Sequence, residues 1–270
     1  MEILTFFLPP FFMCLILVGI HCYMGLHVLR RGVIFVDLSL AQVAGLGTTV
    51  ALLFGIEHHT VGSYFISLGH TFAVAALFAW ARRVENKISQ EILIGIVYAL
   101  ASALVILAVN NLSHGAEHIK EILVGSILWV SWQDVIKTAL IYSIVAGIHY
   151  YFRKQIIAVS FGENVSNRAF WDFLFFALFG VVITSSVGVA GILLVFSFLI
   201  VPALMSTFFR TSMRDRLIFG WIFGFFVCVL GMVLSYKWDL PAGAILVVCF
   251  TLIPILMLPF LNSMRAISTG

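Results

Sequence analysis

Eight apolar stretches divide this chain, each close to the roughly 20 residues that a helix needs to cross about 30 Å of hydrocarbon. They cover residues 3–29, 33–56, 61–81, 92–109, 136–152, 170–205, 217–236 and 240–261. The sixth holds 36 residues and weakens at Ser185, Ser186 and Gly188, so it reads as two crossings or as one crossing with a re-entrant piece. The expected fold class is therefore all-α, a polytopic α-helical membrane protein with eight or nine transmembrane helices. Composition supports it: 62% of the 270 residues are apolar and 10% are charged, against roughly 25% charged in average soluble domains. No polar stretch is long enough to fold alone, so residues 1–270 are expected to form a single transmembrane domain with lipid as its solvent. A soluble enzyme is excluded, and nothing in the charge pattern points to nucleic acid.

The first eight residues lack a basic leader segment and a small-residue cleavage site, which reads as the start of a retained first span. Cys14, Cys22, Cys228 and Cys249 lie in apolar runs without CxxC spacing and read as small buried hydrophobes.

Basic residues set the orientation, because cytoplasmic loops collect Lys and Arg. Arg30 and Arg31 share one connection, and Arg82, Arg83 and Lys87 a second. Arg153, Lys154 and Arg168 share a third, and Arg210, Arg214 and Arg216 a fourth. Placing these inside leaves Lys120 and Lys237 outside, with Lys137 at a span edge. Glu57, His58, His59 and the segment 110–132 then lie outside. Trp129, Trp132, Trp171, Trp221 and Trp238 fall near the expected interfaces, as aromatic belts do.

An ionisable group inside a span is a functional candidate, because insertion costs about 2.5–3.5 kcal/mol. Asp37 is the clearest case, opening a polar set with Ser39 and Gln42 in a span rich in small residues. Two readings stand: a carboxylate lining an ion path, or an interfacial acid paired with Arg30 or Arg31. A second set, His114, Glu117, His118 and Glu121, follows i, i+3, i+4, i+7 spacing and so shares one helical face. Imidazole and carboxylate suit zinc, manganese or iron; the other reading is an ordinary solvated face. His114, Glu117 and His118 also spell H-x-x-E-H, a metalloprotease pattern, but a short connector offers no cleft for a substrate. His21, His27, His70 and His149 are scattered and read as residues that hydrogen-bond between helices.

After an apolar segment from Gly188 the chain passes Pro202 to Ser206, and residues 207–216 are basic and amphipathic, suited to a membrane surface, a partner's groove or a plain loop. No G-x-x-x-x-G-K-[ST] phosphate loop is present, so ATP is not bound here by that route.

In their order, several segments resemble the ABC-3 family of metal-importer permeases. They are Arg30-Arg31-Gly32 with 37–47, Ser89-Gln90-Glu91 with the span it opens, 122–128 with Ser131-Trp132, Ser160-Phe161-Gly162-Glu163-Asn164, 187–206 and 238–243. The resemblance implies a homodimeric, non-enzymatic permease in the cell (inner or plasma) membrane, with no cofactor of its own. Its cargo would be Zn, Mn or Fe, passing along the dimer centre. Two cytoplasmic ABC ATPase subunits would hydrolyse ATP, and an extracytoplasmic metal-binding protein would deliver the ion. It also implies a coupling helix after Pro202, offering Ser206, Arg210, Arg214, Asp215 and Arg216 to the ATPase. One departure matters: the family pairs the acid of the second span with a His, whereas here Ala41 and Gln42 stand in its place. A Gln carbonyl is a harder, weaker ligand than imidazole. The alternative from another class is a secondary transporter or channel driven by an ion gradient; such folds show broken helices in corresponding halves, and no repeat is evident here.

Overall fold

The computed structural model describes residues 2–57, 60–82, 88–110, 112 and 115–268, and the described residues contain helices and no strands. In chain order they are α1 (Glu2–Arg31), α2 (Val36–Leu53), α3 (Val61–Ala81), α4 (Gln90–Val109) and α5 (Gly115–Val124), then α6 (Trp132–Tyr151), α7 (Arg153–Ser160), α8 (Arg168–Phe209), α9 (Met213–Trp238) and α10 (Ala242–Ser268). Polar residues between the apolar runs start several of them. Thr60, Ser89 and Ser212 each accept the backbone N–H three residues on. Ser131 and Asp134 form a reciprocal capping box on α6.

Six described helices are long and apolar enough to cross a membrane, or seven with α6 and α7 taken as one span bent by 79°. The expected eight or nine is reached only by counting the two parts of α8 and the shorter apolar part of α10, Ala242–Met257, as crossings. The chain is a multi-pass membrane protein either way.

The largest departure from the sequence reading lies in α8, whose break falls at Gly191 (φ 73°, ψ 164°) and not at residues 185–188. Contacts with α1 show that the helix reverses there. Asp172 meets Arg31, Ser186 meets His21, and Leu199 packs on Gly25. In a straight helix Ser186 and Leu199 would stand about 20 Å apart, whereas His21 and Gly25 are about 6 Å apart along α1. The first part therefore climbs α1 and the second comes back down it. Gly191 can turn because its backbone region is open only to glycine, and because the backbone of Gly125, itself at φ 67°, stacks directly on it. The N–H of Ser126 donates to Val189 O at 3.1 Å across this junction. Gly191→Ala should lose at least about 1–3 kcal/mol from backbone strain alone, since the added Cβ would also strike the backbone of Val124 and Gly125. Thermal unfolding in detergent measures this, and a wild-type midpoint would refute the tight junction.

The doubled α8 is the centre of the bundle, packing on α1, α2, α3, α5, α6, α7, α9 and α10. Phe175, Phe176, Phe179 and Phe198 are fully buried there. By contrast, α4 packs mainly on α2 and turns Ile92, Ile96, Leu100, Leu104 and Leu107 outward.

The arginine-rich connections gather at one end, around a carboxylate that the sequence reading did not single out. Asp172, one turn into α8, accepts a 2.6 Å hydrogen bond from Nη1 of Arg31. The Nε atoms of Arg82 and Arg168 stand 3.5 and 3.8 Å from its other oxygen. The Arg31 guanidinium also lies 3.9 Å from the centre of the Phe175 ring and donates through Nε to Ser160 Oγ at 3.0 Å. One buried carboxylate thus ties α1, α3 and α8 together, and α7 joins through Ser160.

Candidate functional site

The sequence draws attention first to α2, and the structure buries most of that helix. Asp37, in its first turn, is 1% exposed. Neither carboxylate oxygen finds a hydrogen-bond partner among the described residues. The backbone N–H groups of Asp37 and Leu38 approach it without reaching hydrogen-bond geometry, and the Glu91 carboxylate acts on it as a like charge. The pairing with Arg30 or Arg31 that the sequence left open is not formed: Arg31 is bound to Asp172, and Arg30 lies over the Phe161 ring.

Glu91 was legible only as part of a family-like segment, not as a candidate ligand. It sits in the first turn of α4, where Oε1 accepts the N–H of Phe35 at 3.2 Å and Oε2 is buried without a partner. Two carboxylates therefore share the junction of α2 and α4, each at a helix N-terminus whose dipole favours negative charge. The other α2 candidates are placed elsewhere. At about 100° per residue, Ser39 points some 200° and Gln42 some 140° away from Asp37. Ser39 Oγ is buried without a partner, and Gln42 is 8% exposed. Asp37, Ser39 and Gln42 do not converge within one chain; Asp37 and Glu91 do.

About 10 Å further along α2, beyond Leu40 and Ala41, a cavity of about 160 Å³ opens between α2, α3, α5, α6 and α8. Its polar wall includes Thr48, Ser67, Glu121, Asp134, Lys137 and Ser185. Of the α5 set, His118 and Glu121 line this cavity, Glu117 is exposed away from it, and His114 lies outside the described residues, as do His58 and His59. His118 is 6% exposed, and its Nε2 is 2.9 Å from Thr49 Oγ1. The Thr49 hydroxyl gives its proton to Gly45 O at 2.8 Å, so Nε2–H is the donor and Nδ1 the acceptor nitrogen. Among the described residues no three His, Cys, Asp or Glu side chains stand close enough to hold a metal ion.

The four scattered histidines divide three to one. His21, His27 and His149 each hydrogen-bond another helix, through Ser186, Ser160 and Tyr23, whereas His70 bonds Ile66 O on its own helix.

The basic segment after Pro202 is not a helix of its own. Pro202 and Ser206 are buried inside α8, where Ser206 Oγ donates to Ala203 O at 2.6 Å. Only residues 210–212 separate α8 from α9. Arg210, Arg214 and Asp215 are exposed at this turn. Asp215 accepts the Ser212 hydroxyl at 2.7 Å, and Arg216 donates through Nε to Arg210 O at 2.9 Å. The result is a rigid basic corner.

Comparison with known proteins completes the picture. Residues 5–260 match the sequence model of the ABC 3 transport family. A probable iron transport system membrane protein of Haemophilus influenzae is 22% identical, over 87% of this chain and 83% of its own length. The manganese transport system membrane protein MntC of Listeria monocytogenes is 24% identical, over 85% of this chain and 81% of its own. Among solved structures, PsaBC from Streptococcus pneumoniae in complex with Fab superposes with a TM-score of 0.74 at 19% identity, covering 91% of this chain and 88% of that one. That likeness concerns the fold.

Proposed function

The chain belongs to the ABC 3 transport family, and from that premise we propose that it is the permease subunit of an ATP-driven importer for a divalent transition metal. Iron and manganese are the metals named for its relatives, and zinc is kept from the sequence resemblance. The observation that carries the reading is Asp37, a buried carboxylate whose oxygens have no partner in a helix that also walls a polar cavity. A buried ion left unpaired is costly enough to need compensation, and a cation in transit supplies it.

In this reading the ion arrives from an extracytoplasmic metal-binding protein, enters past His118 and Glu121, and descends α2 towards Asp37 and Glu91. A second copy of the chain, meeting this one across the apolar row of α4, would complete the coordination that one chain leaves short. The arginine-rich end faces the cytoplasm, and the corner at Arg210, Arg214 and Asp215 docks on the ATPase. ATP-driven closure then changes the relative affinity of outward- and inward-open states for the ion.

The test is metal-dependent growth in a strain lacking only this chain, with cell-associated Zn, Mn and Fe measured by mass spectrometry. Restored uptake of one of these metals is expected on re-expression. Uptake that persists with the ATPase subunit inactivated would overturn the ATP-driven mechanism in favour of a gradient. Arg210→Glu with Arg214→Glu should weaken ATPase association by about tenfold or more in a pull-down. Undiminished association would remove the corner from the docking surface.

A further inference from the structure

On the outer surface of the bundle, α6, α7 and α9 rise around α1 and leave a groove of about 580 Å³. Its floor is hollow because Gly19, Ala139, Ser143 and Ala146 carry little or no side chain, and a Cβ at Gly19 would touch nothing. Ile16, Ile20 and Leu217 make the walls apolar, and Trp221 closes one edge by donating through Nε1 to Gly19 O at 3.0 Å. Nothing in the transport path described above uses this groove.

Its arginine-rich end is different. There the 79° bend between α6 and α7 brings Arg153 over the opening, held 4.4 Å from the centre of the Tyr150 ring and donating to Tyr150 O at 3.2 Å. His149 lines the same end at 2% exposure. Its Nδ1 shares a 3.2 Å hydrogen bond with the Tyr23 hydroxyl, and its Nε2 has no partner. An apolar trough ending in a cation and a buried polar atom without a partner matches a molecule with a hydrocarbon tail and an anionic head.

We propose that this groove is a binding site for an anionic phospholipid, its acyl chain lying between α6 and α9 and its phosphate against Arg153. The bilayer supplies the tail's environment, and basic pockets between membrane helices hold acidic head groups in the same manner. Charge complementarity selects the head group, while the small-residue floor selects a chain over a bulkier side chain.

The full-length chain, purified in detergent and offered equimolar phosphatidylglycerol and phosphatidylcholine, is read by native mass spectrometry. About fivefold more phosphatidylglycerol than phosphatidylcholine is expected to stay bound, one molecule per chain. Arg153→Gln should bring the two lipids to parity, whereas Lys154→Gln, a neighbouring charge that does not line the groove, should leave the preference intact. Gly19→Leu with Ala146→Leu fills the floor, the new Cβ at Gly19 meeting no neighbour, and should remove the bound lipid of either kind. Equal retention of both lipids by the unaltered chain would overturn the proposal, as would a preference lost equally in Arg153→Gln and Lys154→Gln.

Discussion

Asp37→Asn is expected to bring metal uptake down to that of a strain without the chain, while the subunit still inserts and still co-purifies with its ATPase. Asparagine keeps the volume and removes the negative charge. The carboxylate stands in the first turn of α2 with both oxygens buried and without a hydrogen-bond partner, and its charged neighbour is Glu91, not an arginine. The helix dipole contributes about 0.3–1 kcal/mol to holding such a charge, less than the several kcal/mol that desolvating it requires. The fold therefore bears a destabilising group whose benefit appears only when a cation is beside it. The same substitution should accordingly raise stability, because a neutral amide costs less to bury than an unpaired carboxylate charge. Cell-associated metal and thermal unfolding of the purified chain check the two halves. Unchanged uptake removes Asp37 from the path, and a lowered midpoint makes it a structural residue.

Asp172→Ala should have the opposite character, with loss of the folded chain as its main result. Asp172 is 1% exposed and carries the hydrogen bond from Arg31, whose side chain is fully buried. Arg82 and Arg168 approach the same carboxylate. Removing the acid leaves a buried guanidinium uncompensated, which costs about 3–5 kcal/mol in comparable pairs. Yield of monodisperse protein and its unfolding midpoint measure the effect. Asp172→Leu combined with Arg31→Met should recover part of the loss, since apolar replacement of a buried pair is often neutral or better. Arg82 and Arg168, being 12% and 39% exposed, can turn towards water. A double variant no better than Asp172→Ala would mean that the pair acts through something other than charge balance.

The two carboxylates also show what the sequence could and could not reveal. Asp37 was legible because an acid within an apolar span is conspicuous wherever it lies. Asp172 is equally conspicuous in principle, but of its partners only Arg168, four residues before it, is local, while Arg31 and Arg82 come from α1 and the end of α3. Hydropathy gives 61–81 as it is found, whereas the other spans differ at one end or both. The sequence weakens at Ser185, Ser186 and Gly188, three residues or more short of the break at Gly191, because nothing local distinguishes Gly191 from Gly188. Gly191 is chosen by its stacking on Gly125, a contact between remote parts of the chain. The divergence of Asp37, Ser39 and Gln42 follows from helical periodicity and was open to calculation. The segment expected as a coupling helix after Pro202 is divided between α8 and α9 for a different reason. Its first residues are apolar enough to prolong α8 to Phe209, so tertiary burial claimed Ser206 before the surface could.

The reversal at Gly191 also bears on how the protein is made. No charged residue occurs between Asp172 and Arg210, and the glycine corner carries no hydrophilic loop. A nascent chain could hand this segment to the insertion machinery as a ready-made hairpin, both feet on one side, with nothing water-loving to haul through the oil. Lengthening the corner with a few lysines would then delay biogenesis even where the finished bundle had room for them.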